Sequence, residues 1–588
     1  MTGVKRRSGK RPKAKKPPPN RHLLANRVAQ VNEPVKVSSV PVSSSSKKLT
    51  EENASVDPTR KDWSGFRIID IDKVFGQIAE FVCCNKCNNP IKISEVKRVG
   101  LSSLFEICCE KCGVLKVLRN CAVIKDSEDR TSELNKRLIL ASHVLGFKNT
   151  GTKTFCGLMD LPPPVSAKSY YKSLKELHAV LKEEAEENMV KSIEEESNLE
   201  GSNEIKGSGD GTWQRKGYSS KNGVVTLVGA RTGKVLDVEV LTTVCSGCTN
   251  YKGPKEGVEY TDWLESHKPN CTINHTGSSG AMEAIGVVRI FERSLQRGGV
   301  KFKTYIGDGD SKTYPALVKA KPYGDELIPE KAECVGHVQK RMGTRLRTLK
   351  KSYSGKKLAD GKSIGGRGRL TDQWIDKLSS FYGMAIRSSS DVKTMKNKIW
   401  AIWHHYNSTD KKPTHHLCPK GENSWCNYNK AKSKGTLPKF KHKAALPGAV
   451  LTAIKPVFKD LSKEELLQKC VGGYTQNPNE SLNNLIWKNV PKTVFCGRKT
   501  LEIGVHDAVI VFNSGQKGRL KVFEKLGITP GQFCVSYCNE KDTLRKTVAQ
   551  KRVLETTKEA RKAKRQKNKD TSEKQLAEEG VMYAPGAF

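Results

Sequence analysis

Residues 205–244 read IKGSGDGTWQRKGYSSKNGVVTLVGARTGKVLDVEVLTTV, and residues 300–310 read VKFKTYIGDGD. The first stretch holds three β-rich runs, 205–213, 223–230 and 235–244, with Thr232-Gly233 as a hairpin-type turn between the last two. Between 281 and 297, Ala284, Val288, Phe291 and Leu295 recur at helical spacing. A fourth run, 300–306, leads straight into Gly307-Asp308-Gly309-Asp310. The order is therefore three antiparallel strands, a helix, and a strand parallel to the first. Asp210 lies at the end of strand one and Asp308 at the end of strand four.

This is the order of an RNase H-like α/β core, in which carboxylates at those two strand ends lie side by side. Mg²⁺ takes hard oxygen ligands, and a pair of such ions stabilises the attacking and leaving oxygens of an in-line phosphoryl displacement. An Asp beside Gly is also an ordinary turn residue, so it is the joint placement of Asp210 and Asp308 that points to metal-dependent chemistry. Asp310 competes for the second position; Asp308 is preferred because it directly ends the strand.

The chain has 588 residues, with 103 Lys and Arg against 62 Asp and Glu, a formal charge of +41. That length excludes a mini-protein, and several domains are expected. No run approaches the length of a membrane span, and the N-terminus is basic with no apolar run behind it, so neither membrane insertion nor a signal peptide is expected. The excess positive charge calls for a polyanionic partner, and nucleic acid fits it best. From 340 to 369 there are eleven Lys and Arg and one acid, Asp360, interleaved with a Gly-rich loop. Lys340, Arg341, Arg345, Arg347, Arg367 and Arg369 are the candidate DNA contacts.

The 18 cysteines of a chain expected to stay inside the cell point to metal rather than to disulfides. Cys84-x-x-Cys87 and Cys109-x-x-Cys112-Gly113 have the spacing of a zinc ribbon, four thiolates closing a tetrahedral Zn²⁺ site. Adjacent Cys83 and Cys108 leave the register open. A second set, Cys245, Cys248, His267 and Cys271, reads as a zinc site of three thiolates and one imidazole, with His275 as the spare. Farther on, His404-His405, His415-His416, Cys418 and Cys426 offer a third cluster. There His416, Cys418 and Cys426 are the candidate ligands, and core packing or DNA contact is the alternative.

Composition divides the chain further. Residues 1–62 are rich in Lys, Pro and Ser and are expected to be a disordered basic arm; Lys5-Arg6-Arg7 reads as a nuclear localisation signal or a DNA tether. Residues 63–125 are the zinc ribbon. Residues 126–204 are helical, broken by Pro162-Pro163-Pro164, and form either a bundle that binds DNA ends or dimerises, or a packing linker. The core occupies 205–349, with the Cys/His insertion at 245–275, and resumes at 471–540 after a helical insertion at 350–470. A basic tail, 541–588, closes the chain.

Six segments in order carry a closer likeness: GDGTWQRKG (209–217), SSGAMEAIGV (278–287), YIGDGDSKTY (305–314), CVGHVQKRMGTRLR (334–347), GGRGRLTDQWIDKLSSFYGMAIRS (365–388) and NPNESLNNLIWKNVPKT (477–493). Together they resemble the Mutator-like transposase domain of animal genomes over roughly residues 130 to 510. The resemblance implies a DDE transposase with Asp210 and Asp308 as the first two acids and Glu480 as the third. It also matches Cys334-x-x-His337 to the family's Cys/Asp-x-x-His signature. By its own residues Glu480 has weaker support, since it precedes the amphipathic run Leu482, Leu485, Ile486 and equally suits a helix cap. His337 is expected to orient DNA or the scissile phosphate, or else to be a structural partner of Cys334. The function expected is binding of terminal inverted repeats in double-stranded DNA, Mg²⁺- or Mn²⁺-dependent strand cleavage and joining to a target, with structural Zn²⁺, a homo-oligomeric assembly and a nuclear location. A catalytically silent, domesticated DNA-binding regulator is the alternative, and an RNase H-type nuclease the third reading.

Overall fold

The computed structural model describes residues 42–49, 65–124, 132–215, 219–309, 312–442, 446–557, 561, 563 and 566. Asp310, the expected arm up to residue 41 and the tail after residue 566 lie outside the described residues. Among the described residues no helix is long and apolar enough to cross a membrane.

The expected ribbon is a three-stranded antiparallel sheet of β1 (Ile91–Val99), β2 (Ser102–Cys109) and β3 (Gly113–Arg119). Gly113 follows the second Cys pair at φ +73°, the left-handed region that glycine enters without strain. A helix that the sequence did not announce, Ile71–Phe81, precedes the sheet and sets Phe75 edge-on against Phe105.

The main sheet contains β4 (Glu204–Trp213), β5 (Asn222–Gly229), β6 (Val235–Thr242), β7 (Lys301–Gly307) and β8 (Glu330–Glu333), in the order β6-β5-β4-β7-β8. β4, β5 and β6 pair antiparallel, while β7 runs parallel to β4 and β8 parallel to β7. All eight residues of β5 are buried because helices cover both faces. Val225, Leu227, Leu236 and Leu241 pack beneath the helix Met282–Glu292; Val224, Val235, Val238 and Val240 pack with the helices Ala167–Glu200 and Arg498–Ser514.

The Met282–Glu292 helix buries a different face from the expected one. Met282, Gly286, Val287, Ile290 and Phe291 face the sheet, whereas Leu295 is exposed beyond a break at Arg293. The cause is Gly286, where a Cβ would lie 2.5 Å from Val225 Cγ2. The helix lies closest to the sheet at the residue without a side chain, and that fixes its rotation.

Three further departures concern boundaries. The helical region is no separate bundle: Leu174, Leu177 and Leu181 of the Ala167–Glu200 helix share one core with Leu501, Val505 and Ala508 of Arg498–Ser514. The helix Val335–Ser352, assigned by sequence to the main core, buries Val338, Met342 and Leu346 with Ile375, Leu378 and Tyr382 of Asp372–Arg387, so the helical insertion begins near residue 335. Part of both expected tails is folded. The short helix Ser44–Lys48 docks against Gln532–Glu555, where the Ser43 amide donates to Gln550 Oε1 at 2.9 Å. Within that second helix Asp542 is buried, and Arg545 donates to the carbonyls of Val511 and Phe512.

Candidate active site and metal centres

β4 alternates glycine with polar residues, and the alternation builds the site. At Gly207, Gly209 and Gly211 a Cβ would press on Leu227, Tyr305 and Glu283 respectively, so one face of the strand is closed by its neighbours. The other face carries Ser208, Asp210 and Thr212 toward the helix Asn477–Asn489. Ser208 Oγ donates to Asn479 Oδ1 (2.9 Å), Asn483 Nδ2 donates to Asp210 Oδ2 (2.7 Å) and Trp487 Nε1 donates to Thr212 Oγ1 (2.8 Å). Two residues of strand advance about 6.6 Å and four of helix about 6.0 Å, so the positions 208, 210, 212 and 479, 483, 487 stay in step. This ladder seats Glu480, in the first turn of the helix, beside Asp210.

Asp308 leaves the end of β7 with its Oδ1 accepting from the Gly309 amide at 2.7 Å. His337, in the first turn of Val335–Ser352, lies between the two later acids: its Nδ1 is 3.7 Å from Asp308 Oδ2 and its Nε2 3.8 Å from Glu480 Oε1. Both distances are too long for hydrogen bonds. Lys340 Nζ is 3.9 Å from Glu480 Oε1, and Arg341 Nη2 sits 3.4 Å from Asp308 Oδ1 and 2.9 Å from the buried Glu333. Cys334 is buried, and its sulfur accepts from the Gln476 amide, while the Gln476 side chain donates to the Gly209 carbonyl at 2.7 Å. Cys334 therefore ties the start of the His337 helix to the approach of the Glu480 helix and, through Gln476, to β4. The structure thus gathers Asp210, Asp308, Glu480 and His337 in one place, and Cys334 is a buried anchor.

A fourth carboxylate, Glu283, joins them from the Met282–Glu292 helix and receives a hydrogen bond from Thr313 Oγ1 at 3.2 Å. Burial first, then the Glu283 carboxylate, with a smaller push from Glu480, raises the Asp210 carboxyl to about 7 against the bond from Asn483. Glu283 is itself raised, by burial above all. Sequence reading passed over Glu283 because only the fold carries the first turn of that helix to Gly211. Asn483 was missed too, although the i, i+4, i+8 recurrence of Asn479, Asn483 and Trp487 is a signal the sequence holds.

Three Cys/His groups each bring four ligand atoms within 4.8 Å of one another. Cys84, Cys87, Cys109 and Cys112 form the first, with the Cys84–Cys112, Cys87–Cys109 and Cys87–Cys112 sulfur pairs 3.5 to 3.9 Å apart; a tetrahedron of about 2.3 Å Zn–S bonds has edges near 3.8 Å. Cys83 and Cys108 lie outside it. Cys245, Cys248, His267 and Cys271 form the second, and the spare His275 turns away to the Ser278 carbonyl. His405, His415, Cys418 and Cys426 form the third. Here the expected ligand His416 is corrected: its ring packs against His404, while His405 and His415 supply the nitrogens. On its other nitrogen His415 meets His442 at 2.9 Å, and His442 is paired with Asp410 at 2.6 Å, the kind of outer support that orients a ligating imidazole. The backbone amide of Lys86 draws the Cys84 thiol down to about 7. Burial opposes ionisation of Cys245, but the amides of Thr272 and Cys248, with His267, hold it near 5. The bond from Cys418 holds Cys426 near 4. In each group a neighbouring thiol is pushed up, Cys112 and Cys418 by their sulfur partners and then burial, Cys248 by burial and then its sulfur partners, so one thiolate per group is favoured. The donor sets, all-sulfur in the first group and sulfur with imidazole nitrogen in the other two, fit Zn²⁺.

The candidate DNA contacts divide. Lys340 is exposed, as is Arg367; Arg345 and Arg347 are about half exposed and paired with Asp460 and Asp376. Arg369 is corrected: it is 7% exposed and closes a two-pronged pair with Asp360, so it holds the Gly-rich loop instead of facing a ligand.

None of the curated proteins compared with the chain matches it. The model of the Mutator-like transposase family matches residues 65–426, a span that includes the ribbon, Asp210, Glu283, Asp308 and His337 and all three Cys/His groups, and stops short of Glu480. A match over more than half of the chain places it: the protein belongs to the Mutator-like transposases.

Proposed function

We propose that the chain is a cut-and-paste DNA transposase of DDE type with an RNase H-like core. It binds terminal inverted repeats, hydrolyses one strand, and uses the freed 3′-hydroxyl to attack target DNA. The observation that carries this reading is the convergence of Asp210, Asp308 and Glu480, with His337 between the last two, from two adjacent parallel strands and one helix turn.

Divalent metal fits these residues. Four carboxylates are the hard donors Mg²⁺ or Mn²⁺ prefers, and mutual repulsion among them leaves negative charge to be balanced. His337 Nδ1 and Asn483 Oδ1 are buried without hydrogen-bond partners, as suits groups facing a hydrated cation. Bound there, Mg²⁺ supplies charge stabilisation for the in-line displacement. The chain does the rest. Asn483 orients Asp210, Arg341 restrains Asp308, and His337 spaces Asp308 from Glu480. Lys340, exposed beside Glu480, offers a cation to a DNA phosphate. The zinc groups act structurally, and a homo-oligomer holding two ends in the nucleus completes the reading.

The test is cleavage and joining on DNA carrying the element's own ends, comparing wild type with Asp210→Asn, Asp308→Asn, Asp310→Asn and Glu480→Gln. Loss in the Asp210, Glu480 and one of the Asp308 and Asp310 variants, with DNA affinity held within a few-fold, supports the assignment. End binding without cleavage by wild type under Mg²⁺ or Mn²⁺ favours the silent regulator instead.

A further inference from the structure

Residues not used by the acids or by the Cys/His groups enclose a polar cavity of about 160 Å³. Five lysines line it from separate parts of the chain: Lys48 on the docked N-terminal segment, Lys191 on the long helix, Lys234 entering β6, Lys517 after the Arg498–Ser514 helix, and Lys546 on Gln532–Glu555. Only two acids line it, and both are committed. Glu195 pairs with Lys234 at 2.6 Å, and Asp542 accepts from the amides of Gln516 (2.8 Å) and Lys517 (3.2 Å).

Lys48 is the telling member. It is 7% exposed, its Nζ stands 3.7 Å from the centroid of the Phe512 ring, and no carboxylate among the described residues forms an ion pair with it. Burial first, then Arg545 and Lys234, presses its ammonium down to about 7. Holding a desolvated ammonium beside Arg545 and Lys234 is costly, and an anion bound in the cavity would offset that cost.

We propose that this cavity binds a terminal phosphate monoester, with Lys48 and Lys546 as ligands and the docking of residues 43–49 strengthened by it. A monoester presents three oxygens and close to two charges to ammonium groups converging from several directions, which a chain-internal diester does not. The cavity admits such a group end-on and is too small for a duplex. The phosphate belongs either to a small multiply phosphorylated molecule or to the 5′ end of a DNA strand.

The experiment uses the full chain and three probes: inorganic tripolyphosphate, a 5′-phosphorylated single-stranded oligonucleotide, and the same oligonucleotide with a 5′-hydroxyl. Affinities are measured by calorimetry for wild type, Lys48→Gln and Lys546→Gln, with protease protection of residues 43–49 as the second readout. Loss of one charge-assisted contact weakens binding about tenfold. The expected result is a loss of that order for tripolyphosphate in both variants, with 5′-hydroxyl binding unchanged, and protection of 43–49 by tripolyphosphate in wild type and in neither variant. If the 5′-phosphorylated strand outbinds the 5′-hydroxyl strand in wild type alone, the DNA end is the source; if only tripolyphosphate discriminates, it is the small molecule. Equal tripolyphosphate affinity in wild type and in Lys546→Gln, a variant that leaves the buried Lys48 in place, overturns the proposal.

Discussion

Asp210 is pressed by burial and by two neighbouring carboxylates, Glu283 and Glu480, and its behaviour with pH follows. Its folded pKa of about 7 lies above its value in the unfolded chain, about 3.9. Between those values the metal-free native protein holds a proton that the unfolded chain has released, so stability falls as pH rises through the window, and the whole loss is felt above about pH 7. Asp210→Asn removes the loss. Metal-free thermal melts are expected to show the variant more stable than wild type at pH 8, by up to a few kcal/mol, and the two alike at pH 4. Added Mg²⁺ then stabilises wild type and leaves Asp210→Asn unmoved. Glu283→Gln takes away the larger of the two carboxylate pushes, so the pH midpoint of Mg²⁺ stabilisation shifts downward; an unshifted midpoint would remove Glu283 from the site. At this scale the sequence was readable where a residue's place follows from its strand, as for Asp210 and Asp308. It was unreadable where the surroundings are set through space, as for Glu283 against Gly211 or for Arg369 folded back on Asp360.

The elements divide in the same way. β5 and β6 were legible because covered strands show as apolar runs between turn residues, and β4, a glycine and polar run, and β7 followed from their places in the order around the helix. β8, four residues reading EKAE, has no strand signal of its own and exists because β7 offers it an edge. The Met282–Glu292 helix was legible as a helix but not in its rotation, which Gly286 sets through space. The Asn477–Asn489 helix depends most on polar pairing, and it yields the next prediction. Asn479 is fully buried and bonds to Ser208 and to both the carbonyl and hydroxyl of Thr226. Asn479→Ala leaves several buried partners unsatisfied and is expected to cost about 2–3 kcal/mol, against about 1 kcal/mol for Trp487→Phe, which frees only Thr212. Denaturant unfolding gives these numbers. Cleavage should fall with Asn479→Ala while DNA affinity holds, since Asn479 helps to seat Glu480 and its own bonds run only to Ser208 and Thr226.

Across the whole molecule, the acids and the helical insertion share a single rod. The helix Val335–Ser352 places His337 and Lys340 at the acids with its first turns and buries Val338, Met342 and Leu346 in the insertion's core. The third Cys/His group lies in that same insertion and joins His405, in the last turn of Val392–Asn407, to the loop bearing His415, Cys418 and Cys426. The spacing of the sequence indicated a metal cluster there but led to His416 instead of His405 and His415, because His405 enters from a helix 13 residues before Cys418. Zinc analysis of the full chain should return three ions, with one fewer in Cys84→Ser and one fewer in Cys426→Ser, since each group is a separate closed set. The two losses should differ in effect. Cys84→Ser unfolds the small sheet locally. Cys426→Ser frees the loop from Val392–Asn407, loosens the packing that holds Val335–Ser352, and lets His337 drift from Asp308 and Glu480. Hydrogen exchange should therefore quicken along Val335–Ser352 in Cys426→Ser alone. Strand cleavage should drop about tenfold or more, as misplacement of positioning groups by an ångström does, while Mg²⁺ affinity stays within a few-fold because the carboxylates are held by β4, β7 and the Asn477–Asn489 helix. Cleavage unchanged in a Cys426→Ser protein that has lost its zinc would show that the insertion and the acids do not communicate through this helix.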